Sequence, residues 1–388
     1  MTETTTADAP APESLAGVLA DAPFVRLVAT DDGDALAATG LLARALRERG
    51  VPFQARVSRD PVPDSTGDDV AVTVGSAAGT HAVPGVGRPA STTAFAVADE
   101  LGAKPDPVVA LAGVVAAGSV PGTDGSGDAL AAAEQAGLIE RRPGVAVPTA
   151  DLAAGLAAST LIRTPYSGDL EETRATLASL DLPAELDVDA QRRLASLVAV
   201  DVVAVPDASA RSASAVERAL RPYAVTSDRP GETVGGLADV LDVLSREAPG
   251  TGVALAIASD PGEAPWSAAV DTWREHGLVA HRALDDATTG RYDGCVVARI
   301  DAAPSVLPTV ARLVRDFRSP EPVVIALAEE SGHLAAAATE PCGLGDACRS
   351  VAVEVGGDGW GSPTRGGIDL ESSTTNPTGA LAALREAL

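Results

Sequence analysis

Two spacings of apolar residues alternate along the first part of the chain. Residues 24–28 form a short, nearly continuous apolar run, which predicts a strand buried in a sheet. From Ala35 the apolar positions fall at Ala35, Ala38, Leu42 and Ala45, with Leu41 and Leu46 widening the stripe, and that is helical spacing. Arg44, Arg47 and Arg49 lie in its last turns and Gly50 follows, as a helix C-terminus favours. The same reading predicts strands over 53–57 and 70–74, a helix over 92–101 and an apolar helix over 107–117. Buried strands alternating with helices point to a parallel α/β sheet.

A Gly-rich break, GSVPGTDGSGDAL at 118–130, ends this pattern, and APGTG at 248–252 is a second break. Between them the chain reads as mainly helical, most clearly at Leu237, Val240, Leu241 and Leu244. Beyond the second break, strands are predicted at 253–258, 278–281, 295–300, 323–328 and 351–355. Helix faces are predicted from Trp266, Val270 and Trp273 and from the stripe over 306–317. The expected organisation is an α/β protein with a disordered tail at 1–20, an α/β domain at 21–125, a mainly helical region at 126–248 and a second α/β domain at 249–376.

Charge changes the picture of the surface. The formal net charge is −25 and Lys104 is the only lysine, so nearly all cationic charge is arginine. Such a surface suits concentrated salt, where at about 1 M the Debye length falls to roughly 3 Å and dense acid no longer repels itself. The acidity therefore says little about partners: it repels nucleic acid in dilute buffer and is screened in molar salt. Cys295, Cys342 and Cys348 give no disulfide framework, which fits a reducing cytoplasm. The polar, acidic start MTETTTADAPAPES is no signal peptide, and the apolar run at 108–120 is too short for a bilayer. A cytoplasmic protein with no membrane contact is expected.

Candidate chemistry centres on TDDGD at 30–34, between the first strand and its helix. Asp31, Asp32 and Asp34 are placed to ligate Mg²⁺ or Mn²⁺ through oxygen, and equally to cap the next helix by accepting from its free N–H groups. Other chemistries are less well supplied. Lys104 follows Ala103, so there is no Walker A Gly-Lys pair. Cys342 and Cys348 lack a second pair for zinc. His276 and His281 flank an expected helix-to-strand turn and read as surface or hydrogen-bonded core histidines. GGDGWGSPTRGG at 356–367 lacks the G-x-G-x-x-G order of a dinucleotide loop. There Trp360 and Arg365 either stack on and neutralise a nucleic-acid single strand, or Trp360 packs a Gly-rich turn.

These segments, taken in order, resemble the DHH phosphoesterase superfamily, which includes RecJ-type single-strand exonucleases. The first motif there is His-x-Asp-x-Asp-Gly; here Asp32-Gly33 matches its end, while Val28 and Thr30 stand at the His and first Asp. VAVTVGSAAG at 70–79 is similar to the strand ending in Asp-x-Gly-Ser, with Thr73 or its neighbour in place of the Asp. The Asp-His-His that should follow is reduced to a lone His81. STTAFAVADEL at 91–101 is similar to the next helix, and LAGVVAAGSV at 111–120 to a segment whose last metal-binding Asp is replaced by Gly118-Ser119. STLIRTPYSGD at 159–169 is similar to a Pro-Tyr segment of archaeal RecJ-like chains. The C-terminal segment at 360–367 resembles the Gly-Gly-His-Pro signature of the companion DHHA1 domain, with Ser362 for the His, and on that likeness His333 would approach Ser362.

The resemblance implies an N-terminal DHH domain, a C-terminal DHHA1 domain and a nucleic-acid role for Trp360, Ser362 and Arg365. Family-type hydrolysis needs two ions held by several carboxylates and imidazoles. With Asp32 and His81 as vestiges, the expectation is a catalytically inactive RecJ-like factor of DNA replication or repair with no cofactor. Relatives of that kind bind single-stranded DNA, or the GINS complex and the replicative helicase. The alternatives are an active exonuclease or phosphoesterase using Mn²⁺ or Mg²⁺ at Asp31, Asp32 and Asp34, and a structural partner that does not touch DNA.

Overall fold

The computed structural model describes residues 11–62, 67–183, 186–205, 207–226, 231–258, 262–371 and 376–388. The chain opens with α1 (Pro12–Ala20), β1 (Val25–Ala29), α2 (Gly33–Arg49), β2 (Phe53–Val57), β3 (Val70–Val74), β4 (His81–Val83), α3 (Ala90–Glu100), α4 (Pro107–Ala116), α5 (Gly127–Gln135) and β5 (Ile139–Arg141). Then come α6 (Leu152–Ala158), α7 (Leu170–Ala178), α8 (Val188–Ala204), α9 (Arg211–Ala219), β6 (Tyr223–Val225), α10 (Val234–Glu247), α11 (Pro249–Ile257) and α12 (Glu263–Asp285). The rest is β7 (Thr288–Tyr292), β8 (Cys295–Arg299), α13 (Leu307–Leu313) with a π-helical turn at Val314–Arg318, β9 (Val323–Ala328), β10 (His333–Ala338), α14 (Leu344–Val355), β11 (Gly357–Ser362), β12 (Arg365–Leu370) and α15 (Pro377–Ala387).

The chain divides into two units, Met1–Glu140 with Tyr223–Thr272, and Arg141–Pro222 with Trp273–Leu388. This replaces the expected boundaries at 125/126 and 248/249, because α10 and α11 return to pack with the first sheet's helices. In the first unit, parallel strands lie in the order β2-β1-β3-β4, and Val28 is in register with Arg56 and Thr73. Helix α2 lies among the sheet, α3, α4, α10 and α11, so it is buried from Gly33 to Ala43. Small residues make this layering possible. A Cβ on Gly40 would come 2.7 Å from the Ala256 carbonyl oxygen, so α11 crosses α2 at backbone distance. The residues expected as a disordered tail at 1–20 include α1, which buries Leu15, Ala16 and Leu19 and packs on α3.

The strand predicted at 253–258 is helical: Pro249 opens α11, and Gly252 and Ala256, one turn apart, face α2. Residues 278–281 lie inside α12 and 351–355 inside α14. Short apolar runs do not separate strand from buried helix by periodicity, and packing decides.

In the second unit, six strands lie in the order β11-β12-β10-β9-β8-β7, antiparallel except for the β8–β9 pair. The alternation in β9 shows why it reads as continuously apolar. Val324, Ala326 and Ala328 enter one core with α12 and α13 residues, while Val323, Ile325 and Leu327 enter the other beneath α14 and α15. Among the described residues, no helix is long and apolar enough to cross a membrane.

Candidate functional site

The acidic turn sits where β1 hands over to α2. Each carboxylate there has a defined partner. Asp32 is the α2 N-cap, with extended backbone (φ −134°, ψ 159°), and accepts from the Ala35 N–H at 2.8 Å. Its other oxygen accepts from the Thr30 hydroxyl. Asp34 belongs to α2 but serves α3: it accepts from the N–H groups of Ala90 (2.6 Å) and Ser91 (2.9 Å), where Pro89 offers no capping side chain. Burial, and then the nearby Asp32 charge, push the Asp34 pKa up to about 7, against the pull of the Ser91 and Ala90 hydrogen bonds. Asp31 is buried and lies 3.6 Å from Nε of Arg59.

A fourth carboxylate and a second cation come from α10. Asp242 accepts from the Gly33 N–H at 3.2 Å. One turn later, Arg246 grips both Asp242 oxygens, Nη2 at 2.7 Å and Nη1 at 3.2 Å. Nη1 also donates to the Asp31 carbonyl at 3.4 Å. Only 4% of the Arg246 side chain is exposed. Burial works against its charge, but Asp242, followed by Asp31 and Asp32, outweighs it and holds the pKa above the ordinary arginine value. Sequence reasoning missed Asp242, Arg246 and Arg59. The one available signal was an Asp and an Arg four apart in α10, the spacing of a helix ion pair.

The other positions of the resemblance serve the backbone. Val28 is buried in β1. Thr73 is buried in β3, and its hydroxyl donates into the following turn, to the carbonyls of Ala78 and Ser76. Gly75 has φ +82°, and a Cβ there would approach the Ala35 Cβ to 2.8 Å, so glycine is needed without any appeal to catalysis. His81 is half-buried in β4, and Ser119 follows the end of α4 with its N–H bonded to the Val114 carbonyl. Among the described residues, no three His, Cys, Asp or Glu side chains are arranged to hold a metal ion. The oxygens of the turn face donors of the protein itself: Asp32 and Asp34 accept from helix N–H groups and from the Thr30 hydroxyl, and Asp31 faces Arg59.

At the C-terminal segment the structure separates what the sequence grouped. Trp360 is 4% exposed and in register with Gly367, where a Cβ would run into the indole ring. The ring therefore has no free face on which a base can stack, which corrects the stacking reading. Gly359 packs against the backbone of Arg349 in α14, so the glycines reflect close helix–sheet contact. Ser362 and Arg365 face each other, half-buried, at the β11–β12 turn. His333 is in register with Asp369, at the far end of β12 from Ser362, and its Nε2 lies 3.6 Å from that carboxylate. His276 and His281 both lie within α12. Nε2 of His276 hydrogen-bonds the Thr309 hydroxyl, and Nε2 of His281 donates to the Ser159 carbonyl.

Comparison with known proteins places this geometry. Residues 287–386 match a family model described as the C-terminal domain of the uncharacterized protein rrnAC1427. Over 382 residues the chain is 49% identical to the uncharacterized protein rrnAC1427 of Haloarcula marismortui, covering 98% of this chain and 97% of that one. CDC45 from Entamoeba histolytica aligns with a TM-score of 0.59 at 9% identity, covering 96% of this chain and 97% of CDC45. That likeness concerns the fold: an N-terminal parallel sheet, a helical middle and a C-terminal sheet domain. RecJ from Thermus thermophilus, solved with Mg²⁺, aligns at 14% identity with a TM-score of 0.47, too low to carry an argument. The chain spans about half of that protein's length, 52%.

Proposed function

The chain belongs to the rrnAC1427 family, and we propose that it is a non-catalytic member of the DHH superfamily acting in DNA replication or repair. In this role it is a scaffold for single-stranded DNA, or for the GINS complex and the replicative helicase. One observation carries the reading: the carboxylates around the start of α2 already have partners, Asp32 and Asp34 in helix N–H groups, Asp31 in Arg59, and Asp242 of α10 in Arg246. A two-metal phosphoesterase needs its carboxylates free to hold ions about 3.5–4 Å apart. The fold shared with CDC45 supports the choice of superfamily. The acidic surface, with net charge −25, fits work in a cytoplasm of concentrated salt.

The test is incubation of purified protein with labelled single-stranded oligonucleotide, Mn²⁺ and concentrated salt, with binding followed across a salt series. The reading expects no degradation, and either salt-dependent binding or co-purification of GINS and helicase subunits from the native host. Degradation that disappears in Asp32→Asn would establish instead an Mn²⁺- or Mg²⁺-dependent exonuclease. No binding at any salt, with no replication protein captured, would leave a structural partner outside DNA metabolism.

A further inference from the structure

Four carboxylates, those of Asp31, Asp32, Asp34 and Asp242, gather around the start of α2, and Arg246 enters the same junction almost wholly buried. Its guanidinium reaches two elements at once: both oxygens of Asp242 on α10 and the Asp31 carbonyl between β1 and α2. Arg59 approaches the Asp31 carboxylate from after β2. Carboxylates at such density, with Asp31 and Asp34 buried and Asp32 and Asp242 half-buried, repel one another unless a cation stands among them. We propose that Arg246 is the resident counter-ion of this junction, supplying permanently the positive charge that a divalent cation supplies in metal-holding acidic turns. Formation of the β1–α2 turn in this protein is therefore independent of divalent metal.

Two features make arginine the suitable cation. Its charge does not titrate, so the cationic side of the balance is present at every physiological pH. Its planar fork also matches a carboxylate bidentately, which lysine's single ammonium does not. The inference deepens the non-catalytic reading by giving its chemical basis, but its test involves neither DNA nor partner proteins. Failure of the scaffold role would thus leave it standing.

The experiment is thermal unfolding of the full chain in concentrated salt, with EDTA or with Mn²⁺. Wild type is expected to melt at the same temperature in both. Arg246→Met is expected to melt lower in EDTA and to recover part of the loss in Mn²⁺, because the carboxylates it leaves unbalanced then accept the ion. Arg246→Lys keeps the charge and loses the fork, so it is expected to melt at an intermediate temperature with no response to Mn²⁺; it decides the matter should Arg246→Met not fold. The proposal is overturned if Mn²⁺ stabilises wild type and Asp32→Asn or Asp242→Asn abolishes that shift. It is overturned equally if Arg246→Met melts with wild type, or if Arg246→Lys responds to Mn²⁺ as strongly as it is destabilised.

Discussion

Replacing Asp242 by Ala tests the charge pair at the heart of the first unit. The substitution removes both oxygens that hold Arg246, at 2.7 and 3.2 Å, and the acceptor for the Gly33 N–H at 3.2 Å. The guanidinium left behind is 4% exposed and loses its bidentate partner. Removing one member of a buried pair costs about 3–5 kcal/mol, because the survivor stays charged and desolvated. The unsatisfied Gly33 N–H adds about 1–3 kcal/mol if water does not reach it. The attraction of Asp31 and Asp32 for Arg246 offsets part of this, so about 3–5 kcal/mol in total is expected. The double variant Asp242→Ala/Arg246→Met removes the stranded charge and should lose only about 1–2 kcal/mol, so the coupling is at least about 2–3 kcal/mol, before the loss from Arg246→Met alone is added to it. Hydrogen exchange resolved to peptides of α2 and α10 is the assay, since both belong to the first unit and report the loss where it arises. Additive losses, with coupling under about 0.5 kcal/mol, would refute the view that the two side chains balance each other.

Three further outcomes follow from the same structure. Gly40→Ala should cost about 1–3 kcal/mol and expose α11 to exchange, because the new methyl meets Ala256 backbone; Gly17→Ala in α1, with nothing within 4 Å of its Cβ, should instead stabilise by about 0.5–1 kcal/mol. Asp34 holds its proton more tightly folded (pKa about 7) than at its ordinary 3.8, so its contribution is full below pH 3.8 and is lost as pH rises to about 7. The Tm difference between wild type and Asp34→Asn should therefore fall across that window and flatten above it. His281 has the opposite sign: burial, and then Arg163, lower its pKa from 6.5 to about 3, so its contribution is present above pH 6.5 and lost as pH falls toward 3. His281→Gln should show a shallower acid loss of Tm than wild type.

Much of the first sheet was legible because local signals agreed. β2 and β3 match the runs at 53–57 and 70–74, β1 is offset by one residue, and α2 begins with the Asp32 cap and ends at Gly50. The misread segments were those where partners decide. GVALAI at 252–257 has strand-like composition, yet its Gly252 and Ala256 face α2 as a helix. β10, β11 and β12 escaped because HLAAAA and GGDGWGSPTRGG carry no apolar alternation; glycine there answers to contact with α14 and with the Trp360 ring. Asp31, Asp32 and Asp34 were visible as a group, and capping was one of the two roles weighed for them. Their charge balance was not visible, because Asp242 lies 209 residues beyond Gly33 and meets it only through the return of α10 to the first unit.

The most direct measurement is a Mn²⁺ binding isotherm by electron paramagnetic resonance, in concentrated salt to suppress loose surface binding, comparing wild type with Asp31→Asn/Asp32→Asn/Asp34→Asn. A turn balanced by its own arginines predicts superimposable isotherms. A saturable ion held by wild type and lost in the triple variant would contradict that balance.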